Sequence, residues 1–216
     1  VDRIDSIFLL SSSIFSTMLP NLSNISDIVY NIVLVLVLIN KIINLRKLSV
    51  MSSTIKIIND IIENYNCPFT ESEVCGFFTG CVLSKIEKKD LENKILSFMD
   101  IDSESLNNSH QLLSSIRNDI ESKEFVITNQ EKKDFSSISS SLAEWTYYFL
   151  ISFQTPDSIE STDPKLHEIL DVFDEISMLN QKYTLDNDDN ATKESLDDIN
   201  SFIVKSVQYI FNKNND

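Results

Sequence analysis

From residue 51 onward, apolar side chains recur three and four positions apart, the spacing of one face of an α-helix. Ile55, Ile58, Ile62 and Tyr65 form the first such stripe, capped at its start by Ser53 and closed by Asn66-Cys67-Pro68. Thr70 and Glu73 have the spacing of a capping box and open a second helix carrying Val74, Phe77, Phe78, Cys81 and Val82. A charged helix with Leu91, Ile95, Phe98 and Met99 follows, then one over 103–121 with Leu106, Leu113, Ile116 and Ile120. Glu124–Asn129 alternates weakly and reads as a short extended piece.

The densest aromatic segment, Ser139–Phe153, is predicted as the helix the others pack around. Ser141 and Glu144 stand three apart and are expected to cap its start, and Pro156 to close it. Leu142, Trp145, Phe149, Leu150 and Phe153 make its apolar face. Trp145 and Phe149 read as core. Any outward-facing residues of this helix are expected to be Tyr147 and Tyr148. Asp163-Pro164 is an N-cap followed by a proline at the first helical position, ahead of the stripe Leu166, Ile169, Phe173 and Ile176. A last helix carries Leu196, Ile199, Ile203, Val207 and Ile210. The expected fold is a single all-α domain of about seven helices over residues 51–216.

Residues 1–50 differ. Arg3, Lys41, Arg46 and Lys47 against Asp2, Asp5 and Asp27 give them a charge of +1, which leaves −16 of the total −15 to the remainder. Ile28–Ile39 is apolar except for Asn31, shorter than the ~18 residues a membrane span wants. Its basic residues follow the apolar run, the reverse of a signal peptide. The segment reads as an upstream extension of the reading frame, with Met51-Ser-Ser-Thr as an ordinary start. A weak membrane anchor is the alternative.

Charge and glycine content narrow the function classes. The chain has 33 acidic against 18 basic side chains, the wrong balance for replacing counterions on nucleic-acid phosphates or for an anionic membrane surface. A basic protein partner fits it better, and a cytoplasmic setting is expected. Gly76 and Gly80 are the only glycines. No phosphate-binding loop or nucleophile elbow is assembled from two glycines inside one helical pattern. Each costs about 1 kcal/mol against alanine in a helix interior, so their expected role is a tight crossing with a neighbouring helix. Cys67, Cys75 and Cys81 read as free thiols in a reducing compartment. His110 and His167 are too far away in sequence to complete a zinc motif with them. No metal or cofactor is expected.

Asp186, Asp188, Asn190, Thr192, Glu194 and Asp197 fall at the ligand positions of a calcium loop. Ala191 stands where such a loop turns on glycine, and Asp197 where it uses a bidentate glutamate. The better reading is an acidic interhelical loop at the positive end of the following helix. Asp186, Asp188 and Asp189, with Asp197 and Asp198, are the candidate interaction surface.

Three stretches in order carry a resemblance to a known family. Thr70-Glu-Ser-Glu-Val-Cys-Gly-Phe-Phe-Thr-Gly80, Ser141-Leu-Ala-Glu-Trp-Thr-Tyr-Tyr-Phe-Leu150, and Leu170-Asp-Val-Phe-Asp-Glu-Ile-Ser with the terminal Leu196-Asp-Asp-Ile-Asn-Ser-Phe-Ile-Val-Lys helix are similar to the YgfB/YecA family of small, acidic, all-helical bacterial proteins. Cys75 stands where that family often has a histidine. The Cys/His zinc-binding tail of its longer members is absent, so the resemblance implies the YgfB-like short form. The charge of −16 over residues 51–216, beside the lack of a catalytic constellation, makes the expected role a non-enzymatic interaction module for a basic partner such as a nucleic-acid-binding regulator. A homodimer is compatible with the sequence. An enzyme built on His110, His167 or clustered carboxylates is the contrasting hypothesis, and a membrane-tethered adaptor is a third.

Overall fold

The apolar segment Val74–Leu83 is buried at every residue, which makes its helix, rather than the tryptophan helix alone, the axis of the packing. The structure, a computed structural model, describes residues 54–100, 106–127, 134–153, 163–179 and 190–215, all within one compact unit spanning 49–216. The expectations for residues 1–50, for the Ser53 cap and for Pro156 lie outside these residues. Among the described residues there are seven helices and no strand: α1 (54–64), α2 (Glu71–Leu83), α3 (Lys88–Met99), α4 (Leu106–Glu121), α5 (Phe135–Ser152), α6 (Pro164–Ser177) and α7 (Asn190–Asn215). None of them is long and apolar enough to cross a membrane.

The most extensive pairing joins α2 to α5; α6 lies on α5, α4 on α2, and α7 touches all four. Each stripe read from the sequence supplies this core. Ile58, Ile95, Met99, Ile116, Ile120, Leu166, Ile169, Phe173, Ile176, Leu196, Ile203, Val207 and Ile210 are all buried. On α4 the fully buried leucine is Leu112, with Leu113 at the edge. Residues 124–127 are irregular, with no strand, and plug Phe125 and Ile127 into the core.

The start of α5 corrects the sequence reading. The helix begins at Phe135, where Asp134 accepts a hydrogen bond from the Ser137 N–H at 2.7 Å. Ser141 and Glu144 are therefore interior positions. Ser139 and Ser141 are buried there, and their small side chains let the first turns of α5 sit close to the rest of the bundle.

Both glycines lie inside α2, so helix ends that often close on glycine use other residues. Asn66, Asp100 and Lys123 take positive φ at 47°, 51° and 60°. After α1, Cys67 N–H donates to the Ile62 carbonyl and Asn66 N–H to that of Glu63. After α4, Glu124 N–H donates to Asp119 and Lys123 N–H to Ile120. Both pairs are the reciprocal bonds of a Schellman motif.

Candidate interaction surface

The α2–α5 crossing fixes the geometry from which the surface is built. A Cβ placed on Gly76 would collide with the Trp145 carbonyl oxygen and lie 2.9 Å from its carbon. One on Gly80 would meet the Ser152 hydroxyl and stand 2.7 Å from the Phe149 carbonyl oxygen. Only hydrogen at these two positions admits the α5 backbone at this distance. Trp145 and Phe149 are completely buried, stacked with centroids 5.2 Å apart, and Phe173 packs edge-on to both.

No oxygen or nitrogen acceptor meets the buried Trp145 indole Nε1. The Cys75 thiol lies beside it. The contact falls short of hydrogen-bond geometry, so it is a weak sulfur contact and not a bond that satisfies the donor. Burial pushes the Cys75 thiol up to about 12, only partly offset by the indole and the Thr79 hydroxyl. Burial likewise pushes Cys81 up to about 12, against the pull of Lys94.

At the edge of this crossing, the flank of α5 meets the N-terminal turn of α2. Thr70 and Glu73 form the complete capping box: Glu73 N–H donates to Thr70 Oγ1 at 3.2 Å, and Thr70 N–H to Glu73 Oε2 at 2.6 Å. The Thr70 hydroxyl in turn donates to Glu144 Oε2 on α5 at 2.9 Å. Two carboxylates thus end on one threonine at the surface.

Tyr148 lies beside them. Its ring packs edge-on against Phe69 and Phe98, continuing the stack Phe69–Phe98–Phe77 into the core. Partial burial raises the Tyr148 hydroxyl above its ordinary range, and the charge and hydrogen bond of Glu73 raise it further. Tyr147 stands edge-on to Tyr148 at 5.3 Å. It is 52% exposed, and Ile151, one turn further on, is 47% exposed. Glu144, Tyr147, Tyr148 and Ile151 are spaced as one helical face. That spacing was available in the sequence, whereas the Thr70–Glu144 bond joins residues 74 apart and was not.

The other candidate residues are scattered. Asp197 and Asp198 are exposed on α7, while Asp186, Asp188 and Asp189 lie outside the described residues. Because α7 already begins at Asn190, the second half of the calcium-loop pattern is helical. His110 pairs with Glu92 of α3 at 3.5 Å on the surface, and His167 is exposed on α6. Among the described residues, no three His, Cys, Asp or Glu side chains are grouped to hold a metal.

No known family model matches this chain, and no curated protein matches it.

Proposed function

We propose that this chain is a non-enzymatic interaction module whose acidic surface engages a basic protein partner, such as a nucleic-acid-binding regulator. The observation that carries the reading is the charge of −15 over 216 residues. A field of that sign speeds the approach of a cationic partner and repels polyanions. Exposed Asp197 and Asp198 on α7 and the surface carboxylates at Thr70 contribute to it. Kinship with the YgfB/YecA family belongs to the same proposal and rests on the order of the three motifs quoted above.

Affinity capture from the native lysate, washed in steps of rising salt, tests the reading. The expected partners are basic and leave as salt screens the charges. Partners that are neutral or acidic, or that survive high salt undiminished, would count against it.

A further inference from the structure

The exposed face of α5 offers what a bare acidic surface lacks, a shaped contact for one kind of side chain. We propose that Glu73, Glu144, Tyr147 and Ile151 form the docking point for an arginine followed by an apolar residue in a basic peptide segment. This inference rests on the basic-partner reading and names where and how that partner is held.

Three observations converge. The carboxylates of Glu73 and Glu144 are drawn together because both accept from Thr70, one from its N–H and one from its hydroxyl. Each uses Oε2 for that bond, and Glu73 also accepts from the Tyr148 hydroxyl, which leaves Glu144 the more open of the two. A guanidinium, with five donors in a planar fork, suits two neighbouring carboxylates better than a point-charge ammonium. Among the described residues, the ion pairs use Glu92 and Asp163, not Glu73 or Glu144. Lys94, on the neighbouring α3, is turned to the Ser152 carbonyl at 2.8 Å.

The aromatic part supplies the second contact. The half-exposed Tyr147 ring stands one turn from Glu144 on the same helix face, where a guanidinium can lie over it as a cation–π partner. Ile151 extends the face by one turn as an apolar shelf for the next side chain.

Rigidity is the third. The inner side of α5 is locked against Gly76 and Gly80, so its outer face is presented on a backbone that needs no ordering at binding, and only side-chain rotamers are fixed there. A second copy of the chain is a poor occupant. A two-fold contact through this face would bring Glu73 and Glu144 of both copies together, each on a molecule of charge −15.

The test is fluorescence anisotropy of a labelled Arg-Leu repeat peptide with the full chain and three variants. Tyr147→Ala should weaken binding about tenfold. Glu144→Gln, which keeps an acceptor for Thr70, should weaken it and flatten its salt dependence. The paired control Asp197→Asn/Asp198→Asn should change it less than about twofold. If the α7 control abolishes binding while Tyr147→Ala leaves it intact, the site is wrong and the acidic-module reading stands. If the wild-type protein does not bind the peptide, the docking site falls, and the salt-stepped capture alone decides the acidic-module reading. A wild-type dimer in sedimentation that Tyr147→Ala dissociates assigns the face to a second copy and overturns the proposal.

Discussion

Gly76 lies directly against the carbonyl of Trp145, with no room between them for a methyl group. The neighbour is helix backbone, whose carbonyl is held by its own hydrogen-bond ladder and cannot rotate aside. Gly76→Ala therefore forces α2 and α5 apart along the most extensive pairing in the fold. The expected cost is about 3 kcal/mol, at the upper end of overpacking effects. Gly80→Ala should cost less, because its nearest backbone obstacle, the Phe149 carbonyl oxygen at 2.7 Å, stands farther off than the Trp145 carbonyl does from Gly76, although the buried Ser152 hydroxyl must also move. Chemical denaturation of the two variants checks both the size and the order. Equal stability to wild type for Gly76→Ala would sink the tight-crossing account.

What the sequence made legible follows from how local each signal is. The stripe Leu166, Ile169, Phe173 and Ile176 is set by spacing within four turns, and Asp163 caps it from the adjacent position, so both could be read directly. The start of α5 could not. Ser141 and Glu144 match the capping spacing, but the hydroxyl of Thr70, from the adjoining start of α2, takes the Glu144 carboxylate. The serine-rich turn ahead of them is weak helix-forming sequence that becomes helical because Ser139 and Ser141 are buried by packing. The central place of α2 was hidden for a related reason. A helix buried all round has no polar face, so amphipathic spacing understates it. Tyr147 could be picked out as outward-facing, but the bond of its neighbour Tyr148 to Glu73 depends on the tertiary fold.

Asp163 joins α6 to the end of α7 and should make that joint sensitive to acid. Its carboxylate caps α6 through the N–H groups of Lys165 and Leu166. It also accepts from the Tyr209 hydroxyl at 2.9 Å, with Lys213 at 3.7 Å. The Tyr209 hydrogen bond, followed by the two backbone bonds and Lys213, holds it below the usual carboxylate range. A depressed folded-state value means that the ion stabilises the fold above the ordinary aspartate value of about 3.9. That contribution is lost as pH falls through the folded value. Melting temperatures across pH 2–6 should fall more steeply below about pH 4 in wild type than in Asp163→Asn. Tyr209→Phe should move the acid limb upward. An unchanged limb in both variants would remove Asp163 as its source.

Asp119 has the opposite sign. It is buried on α4, where the Thr54 hydroxyl donates to Oδ2 at 2.7 Å. Burial nevertheless raises its carboxyl, against the Thr54 bond and with help from the charge of Glu124. A raised folded-state value means the fold prefers the protonated acid. The favourable contribution is present at low pH and disappears as pH rises through the folded value. Asp119→Asn keeps an acceptor for Thr54 and removes the charge, so it should stabilise the protein at pH 7 and leave it nearly unchanged at pH 3. Denaturation at the two pH values decides it, and a loss of stability at pH 7 would show that the ionised carboxylate is needed.

The thiols should separate by accessibility and ionisation. Cys75 and Cys81 are 3% and 2% exposed and pushed up to about 12, so at pH 8 almost none of either is thiolate. Cys67, in the turn after α1, is also raised by burial but is opposed by a backbone hydrogen bond from Phe69, and at 8% it is the least covered. Alkylation of the native protein at pH 8 should therefore mark Cys67 first. Cys75 and Cys81 should be marked only at the rate of opening, reacting together once denaturant is added. Peptide mapping by mass spectrometry follows each site.

Lys123 offers a stabilising change. It takes the left-handed position of the Schellman motif after α4 at φ 60°, a conformation that costs an ordinary side chain about 1–2 kcal/mol. Glycine has no Cβ to meet the following carbonyl, although it loses more chain entropy on folding. The balance for Lys123→Gly is a gain of about 0.5–1 kcal/mol. Its ammonium is exposed, so little packing is lost with it. Asn66→Gly is the internal comparison. Asparagine already tolerates the left-handed region, so that variant should gain less. A urea midpoint that rises for Lys123→Gly and moves less for Asn66→Gly is the expected pair. A fall for Lys123→Gly would mean that the lysine stem stabilises the fold by packing against Ile120 and Phe125, beside which it lines a cleft of about 170 Å³.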